Sequence, residues 1–81
     1  MQCTVLVFAQ LAEHLGTDRV SLELAAGTSV AAALDTLAAT HAPIAQLRPV
    51  LAVAVNDRYC DTSTMLNDGD TLALIPPVSG G

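Results

Sequence analysis

The sequence predicts a small α+β domain in which one main helix covers a mixed sheet of about four to five strands. Short runs rich in β-branched residues alternate with turn residues such as Asn, Asp and Gly. One longer segment instead repeats its apolar residues at helical spacing. The chain has 81 residues, 52% of them hydrophobic, which allows one modest core and therefore one domain.

The first part of the chain predicts two strands joined by a helical turn. Residues 2–9 are apolar at both odd and even positions, which is typical of a strand at the centre of a sheet. Residues 10–15 predict a helical turn closed by Gly16, a residue type that often ends helices. Residues 19–24 alternate polar and apolar side chains, as expected of a half-exposed edge strand.

The main helix is predicted to begin after Thr28 or Ser29, because either hydroxyl can cap the free N–H groups of a first turn. Pro43 is expected to end it, since proline lacks the N–H group that a helix interior needs. The helix presents an apolar stripe made of Val30, Leu34, Leu37, Ala38 and His41.

The remainder predicts a connection and three more strands. Residues 44–49 are expected to connect, with Ile44 and Leu47 packing inward, and residues 50–55 are the strongest strand candidate. A turn at residues 56–57, a short strand, a loop and a turn containing Gly69 follow. The last strand, residues 71–75, is expected to lie beside the first in the middle of the sheet.

Charge and composition exclude several classes of function. Eight acidic residues, three arginines and no lysine give a net charge of −5. Nucleic-acid binding needs clustered Lys and Arg, so the charge favours a protein partner with a basic face instead. The longest apolar run, residues 50–55, is far shorter than the roughly 20 residues that span a bilayer. The chain also opens without a secretory leader, so the cytoplasm is the expected location.

Few side chains are suited to metal or redox chemistry. Cys3 and Cys60 lie in strand-forming runs and are expected to be free thiols, too few for an iron–sulfur cluster. His14 and His41 have no acidic or thiol neighbours at ligand spacing, so we expect no metal site. Four acidic residues are expected to form a solvated face that can meet a basic partner: Asp57, Asp61, Asp68 and Asp70.

The C-terminal segment, residues 76–81, reads Pro-Pro-Val-Ser-Gly-Gly and is the most informative part of the sequence. Its prolines stop strand pairing after residue 75 and keep the chain extended. Its two glycines carry no Cβ and can pass through a narrow channel. We therefore predict a domain over residues 1–75 and an extended tail over 76–81 that carries the carboxylate of Gly81 into another protein. The alternative for the two glycines is an ordinary frayed terminus without a function.

Four segments together resemble one family: residues 5–11, 55–56, 66–70 and, above all, 76–81. The chain resembles, over its whole length, the small subunits of molybdopterin synthase (the MoaD family), which are ubiquitin-like sulfur carriers with a β-grasp fold. Gly-Gly ends all carriers of this kind, and the diproline before Val-Ser-Gly-Gly is more particular to the molybdopterin branch. One departure is Ala12, where many relatives have an arginine.

The resemblance implies a sulfur carrier in molybdenum cofactor biosynthesis, closer to a tethered cofactor than to a catalyst. An ATP-dependent activating enzyme would convert Gly81 to an acyl adenylate, and a sulfur donor such as a sulfurtransferase would replace AMP to leave a thiocarboxylate. The tail would then enter the large subunit of the synthase, in a heterotetramer, and give sulfur to cyclic pyranopterin monophosphate to form the molybdopterin dithiolene. The chain itself would bind no cofactor.

The resemblance also assigns roles to residues. Gly81 carries the sulfur, Gly80 gives clearance, and the rest of the inserted tail is Pro76, Pro77, Val78 and Ser79. An apolar patch that docks both partners is expected at three positions, because aromatic anchors often dominate interfaces; they are Phe8, Tyr59 and Ile75. For Phe8 and Ile75 the alternative is a place in the core.

Other functions stay open. A carrier for cysteine, thiazole or tRNA thiolation would use the same chemistry, although thiazole carriers are typically shorter and lack the diproline. A ubiquitin-like protein modifier would join Gly81 to a lysine of a target protein. An interaction module without a reaction would give the terminal glycines no role.

Overall fold

The structure, a computed structural model, describes residues 1–77, which form a five-stranded mixed sheet and three helices. The strands are β1 (Gln2–Val7), β2 (Arg19–Glu23), β3 (Ala52–Val55), β4 (Arg58–Cys60) and β5 (Thr71–Ile75). The helices are α1 (Ala9–Leu15), α2 (Val30–Thr40) and α3 (Ala42–Leu47), the last followed by a short 3₁₀ helix, Arg48–Val50.

The strand order is β2-β1-β5-β3-β4, with β1 and β5 parallel and the other neighbours antiparallel. The first and last strands are therefore adjacent in the interior of the sheet, and β2 is an edge strand. Both predictions are confirmed. Parallel pairing of β1 with β5 also places the end of β5, where the tail begins, beside the end of β1.

All three helices pack against one face of the sheet, because each contributes to the same buried apolar cluster. From the sheet the cluster takes alternate residues of β1 and β5, such as Val5 and Leu72, both fully buried. From the helices it takes Leu11, Val30, Ala33, Leu34, Leu37 and Ile44. The predicted stripe of α2 is thus confirmed at its first three positions, whereas Ala38 and His41 are half-buried.

Helix α2 begins as predicted at a serine cap. The Oγ of Ser29 accepts a hydrogen bond from the backbone N–H of Ala32 at 3.2 Å. The helix ends at Thr40, and His41 follows it with extended backbone. A side-chain cap satisfies one of the N–H groups that a first turn leaves without a helical partner.

Replacing Ser29 with alanine is expected to destabilise the protein by about 1 kcal/mol, because it removes this acceptor. Urea unfolding followed by circular dichroism measures the loss. Ser29→Asp keeps an acceptor oxygen at the same position and should retain most of the stability. Equal unfolding midpoints for the alanine variant and the parent would contradict a stabilising cap.

Two predictions about the middle of the chain are wrong. Residues 44–49 are not a plain connection, because α3 begins at Ala42 with Pro43 in its first turn, where a missing N–H costs nothing. The predicted strand 50–55 is shorter: Val50 belongs to the 3₁₀ helix and is 55% exposed, and β3 starts at Ala52. Inward packing of Ile44 is confirmed, and Leu47 is half-buried against the core.

The turns follow the sequence prediction. Asn56 and Asp57 both have positive φ, 50° and 69°, and form the two-residue loop between β3 and β4. This combination gives the twist that hairpins require. Gly16 ends α1 at φ 74°, and Gly69 has φ 84° in the turn before β5.

Within residues 1–77, no helix combines the length and the apolar character needed to cross a membrane.

Candidate functional site

The face of the sheet opposite the helices, here called the outer face, carries a row of apolar side chains. Strand register places Leu6 beside Ala73, Ala73 beside Ala54, and Ala54 beside Tyr59, so one row crosses four strands. The Tyr59 side chain is 75% exposed, and Leu6 and Ala73 are half-buried. Ala54 is buried, so the accessible part of the row is Tyr59 on one side and Ala73 with Leu6 on the other. Accessible apolar and aromatic side chains are suited to binding another protein.

Phe8 and Ile75 meet at one end of the outer face. Phe8 follows β1 with extended backbone (φ −129°, ψ 161°), so its side chain continues the alternation of Leu6. Because Val7 pairs with Leu74, Phe8 lies next to Ile75. The two side chains, with Ala9 and Pro76, line an apolar pocket of about 290 Å³.

The three residues predicted to dock a partner therefore share the outer face. Phe8 is 44% exposed and Ile75 is half-buried, so neither belongs to the buried core. Tyr59 does not line the pocket, since it lies on the edge strand β4, two strands away from β5. The structure thus offers a pocket and, across the same face, a separate exposed aromatic ring.

Ala9 is a pocket residue that sequence reasoning missed. Its φ is 51°, in the left-handed region, where an alanine costs roughly 1–2 kcal/mol relative to ordinary backbone. The chain turns there from β1 into α1, and the carbonyl oxygen of Phe8 accepts the N–H of Leu11 at 3.1 Å. A glycine or asparagine at this position would have signalled the turn, but alanine gives no such signal.

The tail begins at the pocket. Pro76 is buried and forms part of the pocket lining, whereas Pro77 is exposed. Proline at this point cannot extend the β5 ladder, so the chain leaves the sheet here. Val78, Ser79, Gly80 and Gly81, to which the sequence assigns insertion and sulfur chemistry, lie outside the described residues.

The four aspartates expected to form one solvated face are divided. Asp70 is 9% exposed, and its carboxylate accepts hydrogen bonds from the Asn56 Nδ2 at 2.9 Å and the Asn67 N–H at 2.8 Å. Asp57 lies near it, at the end of the sheet away from the tail. Asp61 follows β4 at the level of Ile75, near the tail. That prediction is wrong, because Asp70 fixes a turn and is not a docking charge.

The structure perturbs the ionisation of Asp61, an exposed acidic residue. The hydroxyl and the backbone N–H of Ser63 both donate to its carboxylate and lower the pKa of Asp61 below its usual value. Because the ionised form is favoured in the fold, the stabilisation is present above the unfolded-state pKa. It is lost as the pH falls through the lower folded-state pKa.

We expect Ser63→Ala to raise the pKa of Asp61 toward its ordinary value, because it removes the hydroxyl donor. Carbon-detected NMR titration of the carboxyl group measures this change. The exposed Asp18 serves as an internal reference, since Ser63 does not contact it. An unchanged titration midpoint of the Asp61 carboxyl group in the variant would show that the Ser63 hydroxyl does not lower its pKa.

Both cysteines are free, as the sequence predicts. Cys3 is buried, and desolvation, followed by the nearby charges of Asp70 and Asp68, raises the pKa of its thiol. Cys60 is half-buried, and its Sγ lies 3.9 Å from the carbonyl oxygen of Val53. A buried neutral thiol is a poor nucleophile, so Cys3 acts as a small core residue. Among residues 1–77, no three His, Cys, Asp or Glu side chains converge on a possible metal position.

Comparison with known proteins identifies the family. A profile of the ThiS family matches residues 5–81. The molybdopterin synthase sulfur carrier subunit of Arabidopsis thaliana is 31% identical over 81 residues, covering 100% of this chain and 84% of that protein. The protein of the same name from Chlamydomonas reinhardtii is 34% identical over 83 residues and is covered completely, as is this chain.

Solved structures agree with these sequence relatives. SAMP1 from Haloferax volcanii superposes with a TM-score of 0.86 at 31% identity, over 100% of both chains. A chain of the complex of subunits 1 and 2 of molybdopterin-converting factor from Helicobacter pylori matches over 100% of both chains, with a TM-score of 0.72 and 26% identity. The BexX/CysO complex of Amycolatopsis orientalis gives a TM-score of 0.71 at 30% identity, over 98% of this chain and 99% of that one.

The family match over residues 5–81, the two full-length relatives and the shared β-grasp fold lead to one conclusion. The chain belongs to the ThiS family of ubiquitin-like proteins, as a sulfur carrier of the molybdopterin synthase small-subunit (MoaD) type.

Proposed function

We propose that this protein carries sulfur for molybdenum cofactor biosynthesis as the small subunit of molybdopterin synthase. The observation that carries the proposal is the position of the tail, which leaves the domain at an apolar pocket on the accessible outer face. A partner that binds this pocket necessarily lies beside the first residue of the tail. The full-length relatives named as carrier subunits of that synthase support the same function.

The proposed chemistry takes place on Gly81. A carboxylate is a poor electrophile, so the activating enzyme joins it to the α-phosphate of ATP, and pyrophosphate leaves. A sulfur donor then displaces AMP, and the glycine keeps a thiocarboxylate, whose sulfur attacks cyclic pyranopterin monophosphate in the large subunit. The fold contributes position, since tethering raises the effective concentration of the sulfur at the reacting carbon.

The structure supports different roles for the first residue of the tail and for those that follow it. Pro76 is buried and lines the pocket, so we propose that the inserted segment is residues 77–81 without Pro76. These five residues reach at most about 18 Å when fully extended. Pro77 limits the directions in which this segment can leave the domain and lowers the entropy lost when it is ordered. We propose that Val78 and Ser79 line the entrance of the partner's channel and that Gly80 passes through its narrowest part.

We propose that the outer face docks both the large subunit and the activating enzyme. Phe8 and Ile75 offer a pocket for an apolar side chain of the partner, and Tyr59 adds a second anchor on β4. The complex from Helicobacter pylori contains two subunits of molybdopterin-converting factor, which supports a protein partner. The net charge of −5 favours basic residues around the contact.

The proposal requires ATP only in the activating enzyme and assigns no bound cofactor to this chain. It places the protein in the cytoplasm, where ATP is abundant and thiols stay reduced. The free Cys3 and Cys60 thiols are compatible with such a reducing compartment.

A second function is favoured by one specific observation. The chain is 31% identical over its full length to SAMP1 from Haloferax volcanii. Another solved structure from that organism is named small archaeal modifier protein 1. A modifier would form an amide between Gly81 and a target lysine and would keep no sulfur. A carrier for another sulfur pathway stays an alternative as well, because it would use the same chemistry on Gly81.

The loading reaction separates carrier from modifier. The full chain is incubated with ATP, the activating enzyme and a sulfur donor, and the intact mass and the C-terminal peptide are measured. A carrier gains the mass difference of one sulfur for one oxygen on that peptide alone. Oxidation of Met1 or Met65 gives a nearly equal shift, so the peptide must be identified. Amide conjugates to other proteins without a thiocarboxylate would support the modifier.

A further inference from the structure

The sheet has two edges of unequal length. β4 has three residues and β2 has five, Arg19–Glu23, and in the part of the chain described, residues 1–77, no further strand pairs with either outer side. An edge strand presents N–H and C=O groups without ladder partners, which another strand can bind. The three residues of β4 offer few such groups, so β2 is the edge better suited to binding another strand.

Hydrogen bonds at both ends of the β1–β2 pair show which residues of β2 face outward. The Met1 amino group donates to the Leu24 carbonyl oxygen at 2.6 Å, and the Leu24 N–H donates to Met1 at 2.8 Å. At the other end, the Val7 N–H donates to the carbonyl oxygen of Asp18 at 3.0 Å. Hydrogen bonding alternates along an antiparallel pair, so the backbone groups of the even-numbered residues of β2 bond to β1. The backbone N–H and C=O groups of the odd-numbered residues therefore point to the open edge.

The odd-numbered residues of β2 are Arg19, Ser21 and Glu23, and their side chains are exposed. In chain order these three side chains are positively charged, neutral and negatively charged, with Ser21 at the centre. If a second β2 pairs antiparallel about Ser21, each Arg19 lies opposite Glu23 of the second copy. Opposite charges facing each other across a strand pair are stabilising. The strand is therefore complementary to itself.

The even-numbered positions are also compatible with this pairing. Val20 and Leu22 are half-buried on the helix side of the sheet, where they pack against the core. Pairing about Ser21 places Val20 opposite Leu22 of the second copy, so apolar surface is covered on that side. The alternation of the backbone hydrogen bonds, the opposite charges and the apolar side chains all favour this one register.

We propose that two copies of this chain bind each other along β2, antiparallel and related by a two-fold axis at Ser21, to form one sheet across both domains. The backbone groups of the three outward residues bond their counterparts, and two Arg19–Glu23 ion pairs flank the axis. Glu23 is accessible for this contact, because its side chain is 73% exposed. Its carboxylate also forms an ion pair with the Met1 amino group of its own chain at 3.9 Å, which the contact with Arg19 of the second copy must share or replace. Edge pairing leaves the outer faces of both copies open.

Two features oppose the pairing and make it weak. The hydroxyl of Thr17 donates to the Arg19 carbonyl oxygen at 3.1 Å and accepts the Arg19 N–H at 3.3 Å, so it must rotate away. Each copy also carries a net charge of −5. A contact of one short strand is smaller than a standard interface, and we expect a dissociation constant on the order of 100 µM.

Concentration-dependent NMR of the full chain tests the proposal. Amide spectra are recorded at about 0.15 M salt between roughly 20 µM and 1 mM, concentrations that bracket this dissociation constant. The amide signals of Arg19, Ser21 and Glu23 should shift with concentration, and sedimentation equilibrium should show a dimer. Spectra and sedimentation that do not change over this range would overturn the proposal.

Charge reversal identifies the surface. Glu23→Arg changes the net charge from −5 to −5 + 2 = −3, which by itself favours association, yet it places two arginines opposite each other and should weaken the dimer at least tenfold. Glu13→Arg makes the same change of net charge on α1 and should retain the dimer. The double variant Arg19→Glu with Glu23→Arg recreates the opposite charges and should restore it. A dimer that survives Glu23→Arg, or that the double variant does not restore, would contradict β2 pairing.

Discussion

A chain that lacks Gly81 is expected to accept no sulfur and to support no dithiolene formation, a loss of about 1000-fold or more because the reacting group is displaced. Gly80→Val leaves that group in place but adds a branched side chain where the proposed channel is narrow. We expect it to slow sulfur transfer about 100-fold, the effect of misplacing a reacting atom by roughly an ångström. Mass spectrometry of the C-terminal peptide measures loading, and pterin product formation measures transfer.

These tail variants need a control for folding and docking. Core packing is complete by Pro76, so unfolding temperatures should equal that of the parent chain. Affinity for the large subunit should fall less than transfer does, because the outer face is unchanged. Normal sulfur transfer by a chain without Gly81 would show that the terminal glycine does not carry the sulfur.

Phe8→Ala combined with Tyr59→Ala is expected to weaken binding to the large subunit by about 100-fold, since two aromatic anchors of an interface are removed. Both side chains are exposed, at 44% and 75%, so the fold should lose little stability. Phe8→Ala alone should have the larger effect of the two single changes, because Phe8 lines the pocket beside the tail. Calorimetric titration of the large subunit with each variant measures the affinities.

A matched control exists elsewhere on the surface. Met65 is also an exposed apolar side chain, at 54%, and it lies opposite Ser29 at the start of α2, outside the five-stranded sheet. Met65→Ala should leave binding to the large subunit unchanged. An equal loss in this variant would show that the contact is non-specific, and full binding by the Phe8 and Tyr59 variant would place the docking surface elsewhere.

The strands and turns could be predicted because local chemistry determines them. Residues 19–23 alternate strictly, and Asn56 and Asp57 tolerate the positive φ of a two-residue hairpin loop. The helix α3 was missed for an equally local reason. Pro43 signals both the end of one helix and the first turn of the next, and sequence alone does not separate these meanings.

The candidate site was predictable only in part. The tail is evident from its composition, and Phe8, Tyr59 and Ile75 share a face because of strand alternation combined with register. The pocket depends on the parallel pairing of β1 with β5 and on the left-handed backbone of Ala9, which no local pattern specifies. The role of Asp70 depends on the side chain of Asn56, which lies in a different turn of the chain, together with the local N–H of Asn67. The sequence does not show the Asn56 contact, so the charge of Asp70 is wrongly expected on the surface.

The most direct test of the proposed function follows the sulfur itself. Carrier loaded at Gly81 is mixed with the synthase large subunit, with and without cyclic pyranopterin monophosphate, and the C-terminal peptide is weighed over time. The proposal predicts that the thiocarboxylate returns to a carboxylate only when both the large subunit and the pterin precursor are present. A tail that keeps its sulfur under those conditions would contradict a role in molybdopterin synthesis and indicate a carrier for another pathway.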